Sequence, residues 1–378
     1  MTTTRFVVVG AGLAGSATAW QLARRGHEVT VLERSTPANR AGSSHGSARI
    51  FRYAYSNEFY ARLVVESRAE WDELQRLSGR QLITRTGAVD FGIERDPAGL
   101  ARVLEHAGVD HELLTPAQAR DRWPQIIFES DVLWHGSAGV IDAETSVKTM
   151  LDLAAHHGAA VEAGWPVASV ERRGTGFRVV AEDGRTVDAA HVIVSAGGWL
   201  PDLLGALSLP PSFLAAFPSL EVRQENTFHF PYREEIAPGD SWPTFIHKWP
   251  GMQIYSLPGG RDAALPDGRS GQKLAEYNGG RSIGSASRQD GQVDPVNRQR
   301  VIEYVERVVP GLVPQPYAER TCLFTNTPNE DFVVDGVDGV TVLSPCSGHG
   351  AKFAPLVGSI AAEAALGTPA PAPFLVRA

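Results

Sequence analysis

The chain has 378 residues, of which 43% are hydrophobic and 21% charged, and its formal net charge is −8. This length predicts two domains of ordinary size, and the acidic balance excludes the broad basic surface that binds nucleic acid. No apolar stretch is long enough to span a bilayer. Two cysteines cannot form a disulfide framework, and the N-terminus lacks the regions of a signal peptide. We therefore expect a cytoplasmic protein without membrane or nucleic-acid partners.

The first predicted elements form a nucleotide-binding unit. The run "RFVVV" is typical of a buried parallel strand, and "GAGLAG" then places Gly10, Gly12 and Gly15 in G-x-G-x-x-G spacing. The segment "SATAWQLARRG" predicts a helix that ends near Gly26. A second strand, "HEVTVLER", ends at Glu33.

Each part of this unit has a physical function in binding a dinucleotide. Gly10 allows a tight turn, Gly12 lets the backbone approach a pyrophosphate, and Gly15 lets helix and strand pack closely. The helix N-terminus offers free N–H groups to the phosphates, and Glu33 can accept hydrogen bonds from a ribose. The complete unit favours a dinucleotide site over a glycine-rich turn without a ligand, but it does not separate NAD from FAD.

A basic cluster, "GSSHGSARIFRYAY", follows at residues 42–55. A helix that begins near Ser47 would place Arg49 and Arg52 at i, i+3 on one face, with His45 in the preceding loop. Two guanidinium groups at a pocket could bind a carboxylate, or hold negative charge on a reduced ring. The spacing alone leaves equally open a solvated face with two surface arginines.

The remaining patterns predict a second sheet and a second glycine turn. The segments "TFIHKW" and "MQIYSL" alternate as strands over a cavity do. Further on, "VTVLSP" predicts a buried strand, "CSGHGAKFAP" a glycine turn and "LVGSIAAEAALG" a helix. Such a turn suits an anion, and Lys352 at its mouth is a candidate for binding a substrate carboxylate. No metal site is predicted, because His349 has no spaced partner ligands. The tail "GTPAPAPFLVRA" predicts an irregular strap.

Six blocks, in this order, resemble the monomeric sarcosine oxidase and N-methyltryptophan oxidase family of the D-amino-acid-oxidase superfamily of FAD amine oxidases. They are "VVVGAGLAGSATAWQLARRGHEVTVLER", "SSHGSARIFRYAY", "GVIDAE", "HVIVSAGGWLPDLL", "TCLFTNTPNEDFVVD" and "SGHGAKFAPLVG". The resemblance covers nearly the whole chain. It implies an α/β (α+β) fold with a Rossmann-like FAD-binding domain from residues 1–85, 145–215 and 315–378. A second substrate domain, mainly antiparallel sheet, would come from residues 86–144 and 216–314.

The resemblance also implies that the cofactor is covalently bound. In this family the cysteine of the stretch that reads "TCLFTNTP" here forms a thioether to the 8α carbon of FAD, which corresponds to Cys322. His45 and Arg49 match the basic pair near the flavin, and nearby cations are expected to lower the pKa of the Cys322 thiol. Without the resemblance, a buried structural cysteine would be the preferred interpretation, and it remains ours for Cys346.

Further roles follow residue by residue from the resemblance. Arg52 and Lys352 match the pair that holds the substrate carboxylate, and Tyr255 and Phe324 match positions that line the substrate cavity. Lys273 matches a lysine that activates dioxygen, so that Lys273, Arg49, His45 and Tyr255 are the implied catalytic residues. The other implied contacts to FAD are Gly10, Gly12, Gly15, Glu33, Arg34, Ser43, Ser44, Val167, Gly197, Trp199, Gly348, His349, Gly350 and Lys352.

The chain also departs from the family pattern. Phe324 replaces a tyrosine that the family pattern has at this position, and Tyr277 or Asn278 lies near the position where the family has a histidine. Trp249 and Met252 are expected to bring bulk near the cavity. These departures do not change the expectation that the substrate carries an amino-acid head group. They count against sarcosine itself as the substrate.

Three hypotheses about function remain open at this point. The first is an oxidase of N-methyl amino acids that yields an imine and hydrogen peroxide with dioxygen as acceptor. The second is an oxidase of a cyclic secondary amine such as pipecolate or proline, or of a biosynthetic intermediate. The third is a non-catalytic or NAD-linked dinucleotide-binding protein, which would have no use for "SSHGSARIFR" or for Cys322. The family name suggests a monomer.

Overall fold

The computed structural model describes residues 4–265 and 267–376, and this part of the chain contains three sheets and nine α-helices. The strands are β1 (Thr4–Val9), β2 (Val29–Leu32), β3 (Arg49–Phe51), β4 (Ile83–Arg85), β5 (Ala88–Phe91), β6 (Glu112–Leu114), β7 (Val132–His135), β8 (Gly139–Ile141), β9 (Ala160–Glu162), β10 (Val167–Arg173), β11 (Gly176–Ala181), β12 (Thr186–Val194), β13 (Glu221–Phe230), β14 (Thr244–Trp249), β15 (Met252–Pro258), β16 (Gln272–Glu276), β17 (Arg281–Ser282), β18 (Ala318–Asn326), β19 (Val333–Val337) and β20 (Val340–Ser344). The helices are α1 (Leu13–Ala23), α2 (Glu58–Ser78), α3 (Pro97–His106), α4 (Pro116–Arg122), α5 (Ala143–His156), α6 (Leu200–Leu203), α7 (Pro211–Ala216), α8 (Pro295–Val308) and α9 (Ala354–Ala365).

The first sheet carries the predicted nucleotide-binding unit. Its order is β10-β11-β12-β1-β2-β9, with β20 beside β12 and β19 beside β20. Five neighbouring strands, β20, β12, β1, β2 and β9, run parallel. The apolar, β-branched residues of β1 are fully buried, because helices cover this kind of sheet on its faces. The predicted Rossmann-like α/β class is confirmed.

The second sheet has nine strands in the order β17-β13-β16-β15-β14-β5-β7-β6, and β18 also pairs with β13. All of its pairs are antiparallel except β14 with β5. The predicted strands "TFIHKW" and "MQIYSL" are β14 and β15, which form a hairpin. Aromatic residues of this sheet pack with α8 in a separate core. The prediction of a mainly antiparallel second sheet is therefore confirmed.

The division into domains stays a prediction. One observation bears on it, because β18 lies within the predicted FAD-binding segment 315–378 but pairs along its whole length with β13 of the second sheet. The Cys322 strand therefore belongs to the second sheet, while the glycine loop that follows β1 belongs to the first.

The helix expected near Ser47 is absent, and that prediction was wrong. Arg49 to Phe51 form the short strand β3, which pairs with β8 in a three-stranded sheet completed by β4. Ile50 and Phe51 are β-branched and aromatic, so they prefer a pleated surface to a helix. The helix predicted before Gly26 is α1, which ends at Ala23, and Gly26 has a φ of +83° in the turn that follows.

The C-terminal strap packs more firmly than an irregular tail would. Ala370 and Phe374 are buried in the core that lies against α1 and α2, and the Val376 N–H donates to Asp335. Residues 377 and 378 of the predicted strap lie outside the described residues. In the described part of the chain, no helix combines the length and the apolarity needed to cross a membrane.

Candidate active site

A cavity of about 970 Å³ is lined by residues of both large sheets. This volume lies at the upper end of the range for small-molecule and cofactor sites. Every site residue predicted from the sequence lines the cavity except Gly15 and His45. The cavity is continuous from the glycine loop after β1 to Cys322 in β18.

The glycine loop is so tight that two of its three glycines have no room for a side chain. Gly10 has a φ of +97°, and a Cβ there would lie 2.4 Å from the Ser195 carbonyl oxygen. A Cβ at Gly15 would lie 2.0 Å from the carbonyl oxygen of Gly10. Gly15 therefore acts from behind the cavity wall, because it lets α1 pack against the loop.

The third glycine and the acid of the motif face the cavity. A Cβ at Gly12 would meet only the Ser44 hydroxyl, at 2.9 Å, and Ser44 Oγ also accepts the Leu13 N–H at the start of α1. Glu33 follows β2, and its Oε2 accepts the Ala11 N–H at 2.8 Å. The Ala11 and Leu13 N–H groups thus donate within the protein, while Gly12 and Glu33 line the cavity at the start of α1, where a helix N-terminus and a carboxylate suit a pyrophosphate and a ribose.

At the other end of the cavity, Asp262 joins two cations. Lys273 Nζ donates to Asp262 Oδ2 at 2.9 Å, and Arg49 Nη1 lies 3.9 Å from the same oxygen. The second carboxylate oxygen accepts the N–H and hydroxyl of Ser47. Burial and then Arg49 lower the pKa of Lys273, while Asp262 opposes them. Burial favours a higher pKa for Asp262, but Lys273 and Arg49 outweigh it and hold that pKa well below its usual range.

Cys322 lies opposite Glu225 in the pairing of β18 with β13. Burial raises the pKa of the Cys322 thiol, and Arg49 and Lys273 only partly offset this effect. The nearby cations therefore lower this pKa, as expected, but burial outweighs them, so the net shift is upward. Cys346 is also a free thiol that lines the cavity, and burial raises its pKa to about 11.

His45 lies behind the cavity lining. Its Nε2 is buried and has no hydrogen-bond partner among the described residues. Burial and then Arg49 lower the pKa of His45 to about 4, so the imidazole is neutral at pH 7.

Arg52 and Lys352 both contact one aromatic residue, Tyr55. The Arg52 Cζ lies 4.8 Å from the centroid of Tyr55, and Lys352 Nζ donates to the Tyr55 hydroxyl at 3.0 Å and to the His349 carbonyl at 2.7 Å. Burial and then Arg52 lower the pKa of Lys352 far below its usual range. No carboxylate of the described residues forms an ion pair with either cation. An anion from outside the chain would complete this arrangement.

The wall near these cations is aromatic. Phe324 and Tyr277 have ring centroids 5.5 Å apart, and the Tyr277 hydroxyl donates to Glu330 at 2.9 Å. Tyr255 lines the same cavity from β15, and its hydroxyl has no partner within the described ranges. Trp249, which was expected to add bulk here, packs instead on Tyr304 in the core of the second sheet. The same core holds Met252, so both expectations about bulk were wrong.

Sequence reasoning missed several cavity residues. Tyr55 lies within the quoted basic cluster, so its position beside Arg52 was a usable signal. Arg95 gave no local signal, because it reaches the cavity through the pairing of β5 with β14. Asp262, which contacts Lys273 without itself lining the cavity, also gave none, because it comes from the loop before β16. The described residues contain no group of three or more His, Cys, Asp or Glu side chains arranged to hold a metal ion.

Comparisons with known proteins agree with this geometry. Residues 5–364 match the family described as FAD dependent oxidoreductase. The chain is similar to N-methyl-L-tryptophan oxidase of Yersinia pestis (strain Pestoides F), with 29% identity over 379 residues, covering 97% of this chain and 95% of that protein. A similar solved structure is NikD, an unusual amino acid oxidase essential for nikkomycin biosynthesis, with a TM-score of 0.82, 25% identity and coverage of 97% and 95%. L-proline dehydrogenase from P. horikoshii shares the fold, with a TM-score of 0.79, 18% identity and coverage of 96% and 92%.

The residues present fit FAD. At the glycine loop, Gly12 faces the cavity without a Cβ, and the Glu33 carboxylate, which accepts the Ala11 N–H, lines the cavity too, so that this end suits the pyrophosphate and a ribose of the cofactor. Farther along, the cations Arg49 and Lys273 suit a ring system that gains negative charge on reduction.

Proposed function

This chain belongs to the FAD-dependent oxidoreductase family, and from that membership we propose that it oxidises a secondary-amine amino acid, above all an N-methyl amino acid. The observation that carries this proposal is the pair Arg52 and Lys352, two cations without a carboxylate partner in the cavity that begins at the glycine loop. The similarity to a protein named N-methyl-L-tryptophan oxidase supports the same substrate class.

The two cations orient the substrate. Arg52 offers a planar guanidinium and Lys352 a point charge, so together they bind the α-carboxylate and hold the amine at a fixed place in the cavity. Tyr255 and Phe324 line the space that the rest of the substrate occupies. Binding an anion also raises the pKa of Lys352, because a negative group opposes the effects of burial and of Arg52.

FAD, when bound, would accept a hydride equivalent from the carbon next to the amine nitrogen, so that the C–N bond becomes C=N, and would pass the two electrons to dioxygen to give hydrogen peroxide. Lys273 would supply a positive charge to dioxygen as it gains electrons, and Arg49, with His45 behind the cavity lining, would stabilise negative charge on the ring. The proposed contacts to the remainder of the cofactor are Gly10, Gly12, Glu33, Arg34, Ser43, Ser44, Val167, Gly197, Trp199, Gly348, His349, Gly350 and Lys352, and Gly15 would act by letting α1 pack against the loop.

Cys322 is the proposed attachment point for the 8α carbon of FAD. The thiol lies in the cavity within the electrostatic reach of Arg49 and Lys273, both of which favour the thiolate. Since burial raises the pKa of this thiol, attachment depends on these cations, and the loss of either should slow it.

A cyclic secondary amino acid is the second candidate. The aromatic wall of Phe324 and Tyr277 favours it, because two rings with centroids 5.5 Å apart offer an apolar surface to a ring-shaped substrate. The two candidates differ in their products. Oxidation of an N-methyl group yields formaldehyde after hydrolysis of the imine, whereas oxidation of a ring yields none.

The proposal is tested by adding N-methyl-L-tryptophan, N-methyl-L-alanine, L-pipecolate and L-proline to the purified holoenzyme and measuring hydrogen peroxide and formaldehyde. Arg52→Met and Lys352→Met should each raise KM by about a hundredfold, since each removes a charge-assisted hydrogen bond to the carboxylate. Arg85→Met, on an exposed residue of β4, is the matched control. Peroxide release from none of these amines would overturn the proposal.

The setting of the enzyme is proposed on the same basis. We propose an FAD-binding domain from residues 1–85, 145–215 and 315–378 and a substrate domain from 86–144 and 216–314. The enzyme is proposed to act as a cytoplasmic monomer, with an amine and dioxygen as its small-molecule partners. Light scattering on the purified protein, at a mass near 40.7 kDa, tests the monomer.

A further inference from the structure

Three cationic side chains converge beside Tyr55. Arg95 Nη2 donates to the Ala54 carbonyl oxygen at 3.2 Å, and Arg52 donates to that same oxygen. Arg52 Cζ and Lys352 Nζ lie 4.8 and 5.5 Å from the centroid of the Tyr55 ring. All three side chains line the cavity. Like charges this close repel each other strongly in a partly desolvated site.

One buried carboxylate offsets one of these charges. Asp90 is fully buried, and its Oδ1 accepts hydrogen bonds from Arg95 Nε at 2.7 Å and Nη2 at 2.5 Å. Its other oxygen has no hydrogen-bond partner among the described residues, and it lies 4.0 Å from His135 Nδ1. Burial lowers the pKa of His135 to about 4, so His135 adds no charge at pH 7.

Two acids of this part of the cavity have other partners. Glu330 accepts the hydroxyl of Tyr277 at 2.9 Å and is exposed to solvent. Asp331 accepts the hydroxyl of Tyr60 at 2.8 Å. Neither forms an ion pair with a cavity cation within the described ranges. Among the three cations beside Tyr55, therefore, Arg95 alone has a carboxylate partner in the described part of the chain, and that partner is Asp90.

A fourth cationic residue, Lys248, comes from a strand end whose backbone meets the loop of Arg95. The Lys248 carbonyl accepts the Glu94 N–H at 3.1 Å, which places the end of β14 against the loop that carries Arg95. Lys248 lines the same cavity, and no carboxylate in the described part of the chain pairs with it. The side chain of Arg95 is 13% exposed, so a ligand in the cavity would desolvate it almost completely.

We propose that the substrate carries a second acidic group, which Arg95 binds with Lys248 beside it, while Arg52 and Lys352 bind the α-carboxylate. This inference rests on the proposed function and narrows its substrate class to secondary amines derived from dicarboxylic amino acids. A dianion offers one carboxylate to Arg52 and Lys352 and a second to Lys248 and the part of the Arg95 guanidinium that Asp90 does not hold, whereas a substrate with an apolar side chain leaves the second set without one. The site then discriminates by charge as well as by shape.

The kinetic test compares N-methyl-L-glutamate and N-methyl-L-aspartate with N-methyl-L-leucine on the holoenzyme. The wild type should prefer one of the dicarboxylic substrates by more than tenfold in kcat/KM. The double variant Asp90→Asn/Arg95→Gln keeps a hydrogen-bonding pair without its charges, so the buried carboxylate is not left unpaired. In this variant the ratio of kcat/KM for the preferred dicarboxylic substrate to kcat/KM for N-methyl-L-leucine should fall by about tenfold to a hundredfold. This is the effect of losing one charge-assisted hydrogen bond.

Two further variants complete this test, one as a control and the other as an independent route. Arg178→Gln/Asp188→Asn removes an ion pair of 2.9 Å between β11 and β12, away from the cavity, and should leave the ratio unchanged. Lys248→Met provides a second route if the Asp90/Arg95 variant does not fold, and it should lower the same ratio. An equal kcat/KM for leucine and dicarboxylic substrates in the wild type would overturn the inference.

Binding without turnover separates this inference from the proposed function. In calorimetric titrations, glutarate should bind the wild type at least tenfold more tightly than butyrate, and the Asp90/Arg95 variant should lose most of this difference. If N-methyl-L-leucine is oxidised but glutarate binds no more tightly than butyrate, the second acidic site is wrong and the oxidase stands. If glutarate binds through Arg95 but no N-methyl amino acid is oxidised, the anion site stands and the proposed function fails.

Discussion

Two cysteines line one cavity, and their charged surroundings differ. Burial raises the pKa of both thiols, but only Cys322 has Arg49 and Lys273 acting in the opposite direction. Cys346 has hydrogen bonds to Ser344 and Thr325 that offset burial, without any cation. Because the thiolate is the reactive form, these cations, more than access to the cavity, distinguish the two positions.

We expect FAD to remain with the acid-precipitated wild-type protein and to pass into the supernatant in a Cys322→Ala variant. Cys346→Ala is the matched control, since it removes the other thiol of the same cavity, and its pellet should stay yellow. Absorbance of pellet and supernatant at about 450 nm, where oxidised flavin absorbs, measures how the flavin divides between them. Release of all flavin from the wild type would mean a non-covalent cofactor. Release of flavin from the Cys346→Ala protein alone would show that Cys346, and not Cys322, is the attachment point.

Asp262 controls the charge of Lys273. It is the acceptor that opposes burial and Arg49, so Asp262→Asn should lower the pKa of Lys273 further. Lys273 would then lose its proton at a lower pH, and the second-order rate constant for dioxygen should decline at a lower pH than in the wild type. We expect the pH at which this rate constant declines to move down by roughly one unit or more, the shift that an opposite charge in contact gives to a pKa.

The measurement is the pH dependence of reoxidation after anaerobic reduction by substrate, followed by stopped-flow absorbance. Asp267→Asn is the control, because Asp267 lies in the same loop but pairs with exposed Arg269 at 2.8 Å. Identical pH profiles for the wild type and Asp262→Asn would show that the Lys273 charge does not govern the oxygen reaction.

At the scale of elements, the packing of α1 against its preceding loop is the steric condition for a nucleotide site. Gly15→Ala would place a Cβ 2.0 Å from the Gly10 carbonyl, a contact with backbone that no side-chain movement can relieve. We expect this variant to retain less than about a tenth of the wild-type flavin and to lose several degrees in Tm, since overpacking typically costs ~1–3 kcal/mol. Flavin absorbance per protein and thermal unfolding measure both effects.

Gly205→Ala is the control for this variant, because nothing lies within 4 Å of a Cβ built at Gly205. It should keep full flavin content and an unchanged Tm. Normal flavin content in Gly15→Ala would mean that α1 can shift away from the loop without loss of the site.

The elements themselves differ in how far the sequence predicts them. The β1–α1–β2 unit and the β14–β15 hairpin were predictable, because their hydrophobic periods and glycines are local signals. The helix at Ser47 was wrong, because the spacing of Arg49 and Arg52 was given more weight than the β preference of the residues between them. Both arginines nevertheless line the cavity.

The parts of the site that could not be predicted arrive through long-range contacts. Asp262 pairs with Lys273 across the loop before β16, and Arg95 is brought beside Arg52 by the sheet that joins β5 to β14. No local pattern around either residue indicates these contacts. The net upward shift of the Cys322 thiol pKa was missed for a different reason. It depends on the balance between burial and nearby charge, and a sequence motif does not contain that packing.

At the scale of the whole molecule, several histidines are buried in the neutral form. Burial is the first cause in each case, and it lowers the pKa of His45 and His135 to about 4 and that of His229 and His349 to about 3. An unfolded chain would protonate these side chains at their ordinary pKa of about 6.5. Between these values the unfolded state binds more protons than the folded state, so acid favours unfolding.

The free energy of unfolding should therefore fall as the pH is lowered from about 6.5 to about 4. Each such histidine contributes up to ~1.4 kcal/mol per pH unit in that window. His135→Gln removes one of them from a fully buried position. The variant should therefore take up about one proton fewer than the wild type on unfolding, and its free energy of unfolding should depend less steeply on pH. Urea unfolding at half-unit steps of pH measures the slope, and His157→Gln, at an exposed position after α5, should leave it unchanged. If the His135→Gln slope equals the wild-type slope, His135 carries a proton in the folded protein, and Asp90 then stabilises a charged imidazole in addition to Arg95.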